Sequence, residues 1–238
     1  MSPAPAFSAT IAAVLCGEVQ PFGPPGRTSA IDKKPIAGAC RITKTGLAAD
    51  HQADLRVHGG VEKALHHYPR EHYASWAAEL SSATSGERLA VAGAFGENVT
   101  TTGLTEADIC IGDICRLGMA LVQVSQARQP CWKLNVRFDT ADMAMRVQSS
   151  GRTGWYYRVL EEGTLTAGDG LELIERPHGD WPLSRLLDLL YRDKLNLPAL
   201  QTVAGMEVLA ESWRKIARQR LETAEIEDWS RRVTIPEA

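Results

Sequence analysis

Short β-rich runs, each closed off by Gly, Pro or Asp, fill the first 175 residues of this chain. TIAAVLC (Thr10 to Cys16), ACRITKT (Ala39 to Thr45) and ALVQVSQ (Ala120 to Gln126) are such runs. Their β-branched and apolar residues suit a pleated, half-buried surface. Gly112-Asp113 breaks the segment between Ile109 and Leu117, and Gly168-Asp169 precedes Leu171 to Ile174. Such pairs are turn chemistry, because Gly and Asp tolerate tight or left-handed backbone. Many short strands at close spacing predict a barrel or sandwich, mainly β with few helices. One helix interrupts: Pro69 suits a first helical position, and Tyr73, Trp76, Ala77 and Leu80 form one apolar face. A second helix is read over Asp139 to Gln148.

The pattern changes after Pro177. Leu183, Leu186, Leu187 and Leu190 form a helical stripe after Pro182, Pro198 opens a second helix, and Leu209, Trp213, Ile216 and Ala217 mark a third. The expected organisation is a β-barrel over 1–178, a three-helix unit over 179–226 and a tail over 227–238. The helical unit is too small to be stable alone and is expected to pack on the barrel or on a partner. The residues after Ala224 are expected to fray.

Lys and Arg number 26 against 29 Asp and Glu in 238 residues, a net charge of −3. That balance excludes a nucleic-acid polymer bound through bulk charge. No apolar run is long enough to span a bilayer, and MSPAPAFSAT lacks a basic region before an apolar stretch. Five cysteines at irregular spacings, with no CxxC, argue against a disulfide framework or a zinc knuckle. The expected setting is cytoplasmic, with no membrane partner.

Three clusters carry chemistry. In Gln129-Pro130-Cys131-Trp132-Lys133-Leu134-Asn135, a cysteine follows a proline after a strand, flanked by Arg128 and Lys133 with Arg137 nearby. Neighbouring cations favour the thiolate, which is both nucleophile and soft-metal ligand; the competing reading is one more buried small residue. Cys16, Cys40, Cys110 and Cys115 are read as buried. In Asp54 to His67, His58 precedes Gly59-Gly60, placing an imidazole beside backbone that can approach a ligand closely, or simply in a turn. His66, His67 and His72 lack metal-ligand spacing and are read as surface or packing residues. In Gly93-Ala94-Phe95-Gly96-Glu97-Asn98, a small-residue loop before a strand offers backbone N–H groups and an amide to an anionic or heteroaromatic ligand. Arg27 and Lys33-Lys34 are phosphate-binding or merely surface cations. GxGxxG, Walker A and GxSxG are absent.

Taken together, the chain resembles the MOSC family, the molybdenum-cofactor sulfurase C-terminal domain, in its YiiM-like group. The resemblance rests on Thr28 to Gly38, Gly46 to Tyr73, Gly93 to Leu104, Ile111 to Gly118, Gln123 to Phe138 and Ser150 to Asp169. The helical tail resembles that group's three-helix appendage. Ala49 before Asp50 and Val57 before His58 depart from the usual pattern. The resemblance implies a MOSC β-barrel holding a molybdopterin-type molybdenum cofactor, with the family's functional cysteine at Cys131 as metal ligand. It implies reduction of N-hydroxylated compounds, such as N-hydroxylated nucleobases, with electrons from a separate flavin reductase. A family-level association with pyridoxal phosphate binding comes with it. Arg27, Lys33, Arg128 and Lys133 are the candidate phosphate donors; Gly96, Glu97 and Asn98 are candidates for the pterin or its phosphate, and His58 for proton donation. The alternative is a sulfur carrier holding a persulfide on Cys131 for metal-sulfur cofactor assembly; a third is a non-catalytic cofactor-binding module. The helical appendage is the expected docking surface for an electron donor or second subunit.

Overall fold

The computed structural model describes residues 7–53, 59–80 and 82–236. The strands, in chain order, are β1 (Ser8–Cys16), β2 (Gln20–Pro21), β3 (Thr28–Ser29), β4 (Lys34–Pro35), β5 (Cys40–Thr43), β6 (Gly46–Leu47) and β7 (Leu65–His67). They continue with β8 (Val99–Thr101), β9 (Ile114–Leu117), β10 (Ala120–Ala127), β11 (Trp155–Glu161), β12 (Gly163–Leu165) and β13 (Gly170–Glu175). Seven of them close into a ring: β13, β9, β10, β11, β7, β8 and β1 pair in that order, and β1 returns to β13. Closure removes the unpaired edges that an open sheet must protect. β7 and β8 run parallel at His67 and Val99; the other ring pairings are antiparallel. Of the barrel or sandwich that the short β-rich runs predict, the barrel is the architecture observed.

β10 shows how the wall turns into a functional loop. Ala120, Val122 and Val124 face the core by strict alternation, whereas Ser125, Gln126 and Ala127 are all buried. The register with β11 shifts between Val124 and Gln126, and such a bulge re-aims the chain that follows. Here it delivers Arg128 to Cys131 to one end of the barrel.

Among the described residues four α-helices interrupt the barrel sequence: α1 (Glu71–Glu79), α2 (Ala83–Ala90), α3 (Lys133–Arg137) and α4 (Met143–Ser150). α1 lies where the apolar spacing predicts it, with two differences. Pro69 precedes the cap residue Arg70 instead of starting the helix, and Ala77 is exposed while His72 completes the buried face with Tyr73 and Trp76. The helix expected over Asp139 to Gln148 starts later, at Met143. A second core, built from Tyr68, Trp76, Phe95, Leu134, Phe138 and Val147 among others, joins α1, α3 and α4 to the loop at residues 93–98. Tyr68 and Phe95 stack at 4.0 Å between centroids. This core fixes that loop and the start of α3 against the same body.

The C-terminal helices are α5 (Leu183–Tyr191), α6 (Leu197–Ala204) and α7 (Glu211–Thr223), followed by α8 (Ser230–Val233). All four leucines of the α5 stripe are buried, and Asn196 caps α6 by accepting from the Ala199 N–H at 3.1 Å. The unit shares one continuous core with the barrel, from Ile11 and Val122 to Leu186 and Trp213. Backbone bonds from Ile111 N to Trp181 O and from Ala210 N to Ser125 O cross the junction at 3.0 and 2.9 Å. Residues 225–236 are held against the body and do not fray as expected. Trp229 packs edge-on to Tyr191 at 5.2 Å. Arg220, fully buried, holds Glu227 and three main-chain carbonyls. Among the described residues no helix is long and apolar enough to cross a membrane.

Candidate functional site

Cys131 stands two residues before α3. Among the five cysteines it is half-buried and the other four are buried. Burial pushes the Cys110 thiol up to about 11 and the Cys16 thiol up to about 12, and raises Cys115 as well, each with a nearby aspartate adding to the effect. Those thiols are inert packing. Cys131 opens into a lobe enclosing about 570 Å³ of empty space in contact with solvent. Lys33, Lys63, Arg128 and Lys133 line this lobe, and no carboxylate is among its described lining residues.

Each of those walls has a local cause. Lys33 is brought in between β3 and β4 and pairs with Asp50, both side chains almost completely buried. Burial pulls the Lys33 ammonium below the usual lysine range, and the Asp50 carboxylate opposes the shift. Asp50 also accepts from Gly17 N at 2.8 Å and Asn98 Nδ2 at 2.9 Å, so its charge is fully paired. Asn98 binds three elements together. Its Oδ1 accepts from His66 N at 3.1 Å, and its Nδ2 also donates to Leu15 O at 3.2 Å. Both of its N–H donors are thereby engaged inside the protein.

The loop at residues 93–98 is braced from both sides. Glu97 accepts from Tyr73 Oη, from Gly93 N at 2.7 Å and from Phe95 N at 3.0 Å. Arg137 donates to Ala94 O at 2.6 Å, Gly93 O at 2.7 Å and Asp32 Oδ1 at 3.0 Å. At its tip Gly96 has φ +72°, and a Cβ there would stand 2.6 Å from Ile31 Cγ1. Only glycine fits that turn against the cavity wall.

Of the residues the sequence singles out, Lys33, Gly96, Asn98, Arg128, Cys131 and Lys133 line one lobe. Glu97 does not: its carboxylate is buried behind the loop, where it meets three donors. Arg27 lies exposed on the turn between β2 and β3, outside the lining. His58 falls outside the described residues. His66, His67 and His72 are all buried, against the surface reading. His67 bonds Tyr157 Oη and Thr101 Oγ1, and His72 bonds Glu106, as packing histidines do. His66 is different, because it lines the lobe beside Tyr156, ring to ring at 5.0 Å.

Lys63, His66 and Tyr156 are among the lining residues that sequence reasoning misses, with Ser29, His51 and Gln52. Lys63 ends a 3-10 turn (Val61–Lys63) directly after Gly59-Gly60, the glycine pair that already drew attention to this segment. Burial lowers the Lys63 ammonium and Cys131 opposes that shift. Burial likewise raises the Tyr156 phenol, which Arg128 counteracts. His66 is driven well below the usual imidazole range by burial and by Arg128, and so stays neutral. His66 Nε2 and Arg128 Nη1 are buried without a hydrogen-bond partner. A buried polar atom left unpaired costs free energy, which a polar group bound in the lobe would relieve.

A family model for the MOSC domain matches residues 54–172, and one described as the YiiM-like, 3-alpha helix domain matches residues 181–224. The chain belongs to the MOSC domain family, in its YiiM-like group. This MOSC protein is 40% identical over 220 residues to Protein YiiM of Escherichia coli (strain K12), covering 92% of this chain and 96% of that protein. It is 36% identical over 198 residues to a protein of Gibberella moniliformis named Reductase, of which it covers 34%, with 83% of its own length matched. The crystal structure of YiiM from Escherichia coli superposes with a TM-score of 0.79 at 33% identity, covering 96% of this chain and 99% of that one.

Proposed function

We propose that this MOSC protein is a molybdenum-cofactor-dependent reductase of N-hydroxylated compounds, N-hydroxylated nucleobases among them, with electrons arriving from a separate flavin reductase. The reading is carried by the half-buried Cys131 thiol in a lobe where Lys63, Arg128 and Lys133 join the Asp50-paired Lys33, with no carboxylate among the described lining residues. A molybdopterin-type cofactor is anionic through its phosphate and dithiolene, and a metal already held by the soft dithiolene suits a further thiolate ligand. The donors present fit it: Cys131 for the metal, Arg128 and Lys133 for the phosphate, with the orphaned Arg128 Nη1 and His66 Nε2 left for hydrogen bonds. When bound, that cofactor supplies two electrons and an acceptor for the oxygen of N–OH.

The chain's own residues do the rest. Asp50 and Asn98 keep the Lys33 side of the lobe rigid, and the braced loop at residues 93–98 packs on that same side, against Ile31 and Lys33. Reduction of R–NH–OH consumes two electrons and two protons, breaks the N–O bond and releases an amine and a water. Lys63, on the wall with Cys131 and lowered by burial, releases a proton more readily than a surface lysine and is the candidate donor at Nζ. A persulfide carrier would use the same thiol, but the four cations around it favour an anionic resident group.

Metal and pterin analysis of protein made in a cofactor-competent host tests the reading. Expected is molybdenum in the wild type, its loss in Cys131→Ser, and its reduction in Arg128→Gln. No molybdenum in the wild type, or full retention and activity in Cys131→Ser, removes it. A sulfur adduct on Cys131 without molybdenum would favour the carrier instead.

A further inference from the structure

The Cys131 cavity has two lobes. An outer lobe shares Lys63, Cys131 and Tyr156 with the inner one and is otherwise lined chiefly by Gln126, Gln129, Trp132, Ser212, Arg231 and Arg232. It holds about 1160 Å³ of empty space open to solvent, twice that of the inner lobe. Among the described residues its polar equipment is one-sided: three cations, two amides and two hydroxyls, with no carboxylate in the described lining. Trp132 and Tyr156 add two aromatic side chains.

The arginine side of this lobe comes from the tail. Trp132 N donates to Arg232 O at 2.8 Å, and Asn135 Nδ2 donates to Val233 O at 2.8 Å. The Arg232 guanidinium donates to Pro130 O and to Gln148 Oε1. Arg232 is thus bound to the residue just before Cys131 and acts as a positioning residue. Arg231 beside it is exposed and lines the same lobe, so its guanidinium meets whatever enters from solvent. Guanidinium groups pair with phosphate by charge-assisted hydrogen bonds, and indole and phenol rings favour planar partners.

We propose that the outer lobe binds the body of the substrate as a planar heteroaromatic compound bearing a phosphate monoester, with Arg231 reading the phosphate. The N-hydroxylated group then points past Lys63 to Cys131, and only this last part rests on the reductase reading. The selectivity itself is a matter of binding: the chain distinguishes phosphorylated from uncharged forms of the same ring system.

Calorimetric titration of protein from a cofactor-competent host with adenosine 5′-monophosphate and with adenosine tests this. Both are amines without an N–O bond, so nothing is turned over during the titration. Expected is a monophosphate advantage of about two- to fivefold, the size one exposed charge contact reaches. That ratio falls towards one in Arg231→Gln and below one in Arg231→Glu. No measurable binding of either compound, equal affinities in the wild type, or an advantage that survives both substitutions overturns the proposal. Metal analysis of the same samples keeps the two readings apart: molybdenum absent with the advantage intact removes the reductase and leaves this site standing, and molybdenum present without the advantage does the reverse.

Discussion

Lys33 shows how one side chain serves both the fold and the lobe. Its ammonium is buried against Asp50 and lines the Cys131 cavity. Lys33→Met removes the cation and leaves the carboxylate with only the Gly17 N–H and the Asn98 amide. The expected cost is about 3 kcal/mol, because an uncompensated buried charge remains. Lys33→Met/Asp50→Asn should recover most of that stability, since the charge is gone. It should not recover cofactor content, since the cation is still missing. Urea midpoints and metal analysis on the three variants check both halves; a double variant with full metal content would confine Lys33 to a structural role. At this scale the sequence exposes residues with an unusual neighbourhood, such as Cys131 behind Pro130 between cations. It hides Tyr156, which alternates like any strand residue, and Lys63, whose place on the cavity wall depends on a turn that closes only against β10 and β11.

Among the elements, legibility follows from whether the cause is local. The strands announce themselves through β-branched runs cut by Gly-Asp turns, and α5 through four leucines at helical spacing. α2 does not, because ATSGERLA offers no repeating apolar face and depends on the Ser82 cap, which accepts from Ser85 N at 3.1 Å. The tail is hidden for a different reason. Its holding residues lie far away in sequence: Trp132 and Asn135 bind the backbone of α8, and Tyr191 packs on Trp229. Arg220 is its anchor, donating to Leu189 O, Leu190 O, Lys194 O and both Glu227 oxygens. Arg220→Met is therefore expected to destabilise the protein by about 3–5 kcal/mol. It should also make the chain after Ala224 cleavable by trypsin at Arg231 and Arg232 under native conditions. Unchanged urea stability together with an uncut tail would show that Arg220 does not hold it.

For the molecule as a whole, ring closure and the shared core imply one cooperative unit, and two buried histidines make its stability depend on pH. His67 is completely buried, with its ring 4.3 Å from that of Trp155 and both nitrogens hydrogen-bonded to hydroxyls. Burial pushes its pKa down to about 3, whereas an unfolded chain binds the proton near pH 6.5. The unfolded state thus takes up a proton that the folded state refuses. Above pH 6.5 neither state is protonated and stability is unaffected. Between about 6.5 and 3 stability falls as pH falls, by up to about 1.4 kcal/mol per pH unit for this one group. His66, also lowered, adds to the slope in the same direction. Urea unfolding at pH 7.5, 6.0 and 5.0 should give a single transition whose midpoint drops with acidity, and His67→Gln should flatten part of that drop. A midpoint independent of pH would mean that His67 protonates in the folded barrel. A biphasic curve, with α5 to α7 released first, would mean that the core running from Val122 to Leu186 does not couple the helical unit to the ring.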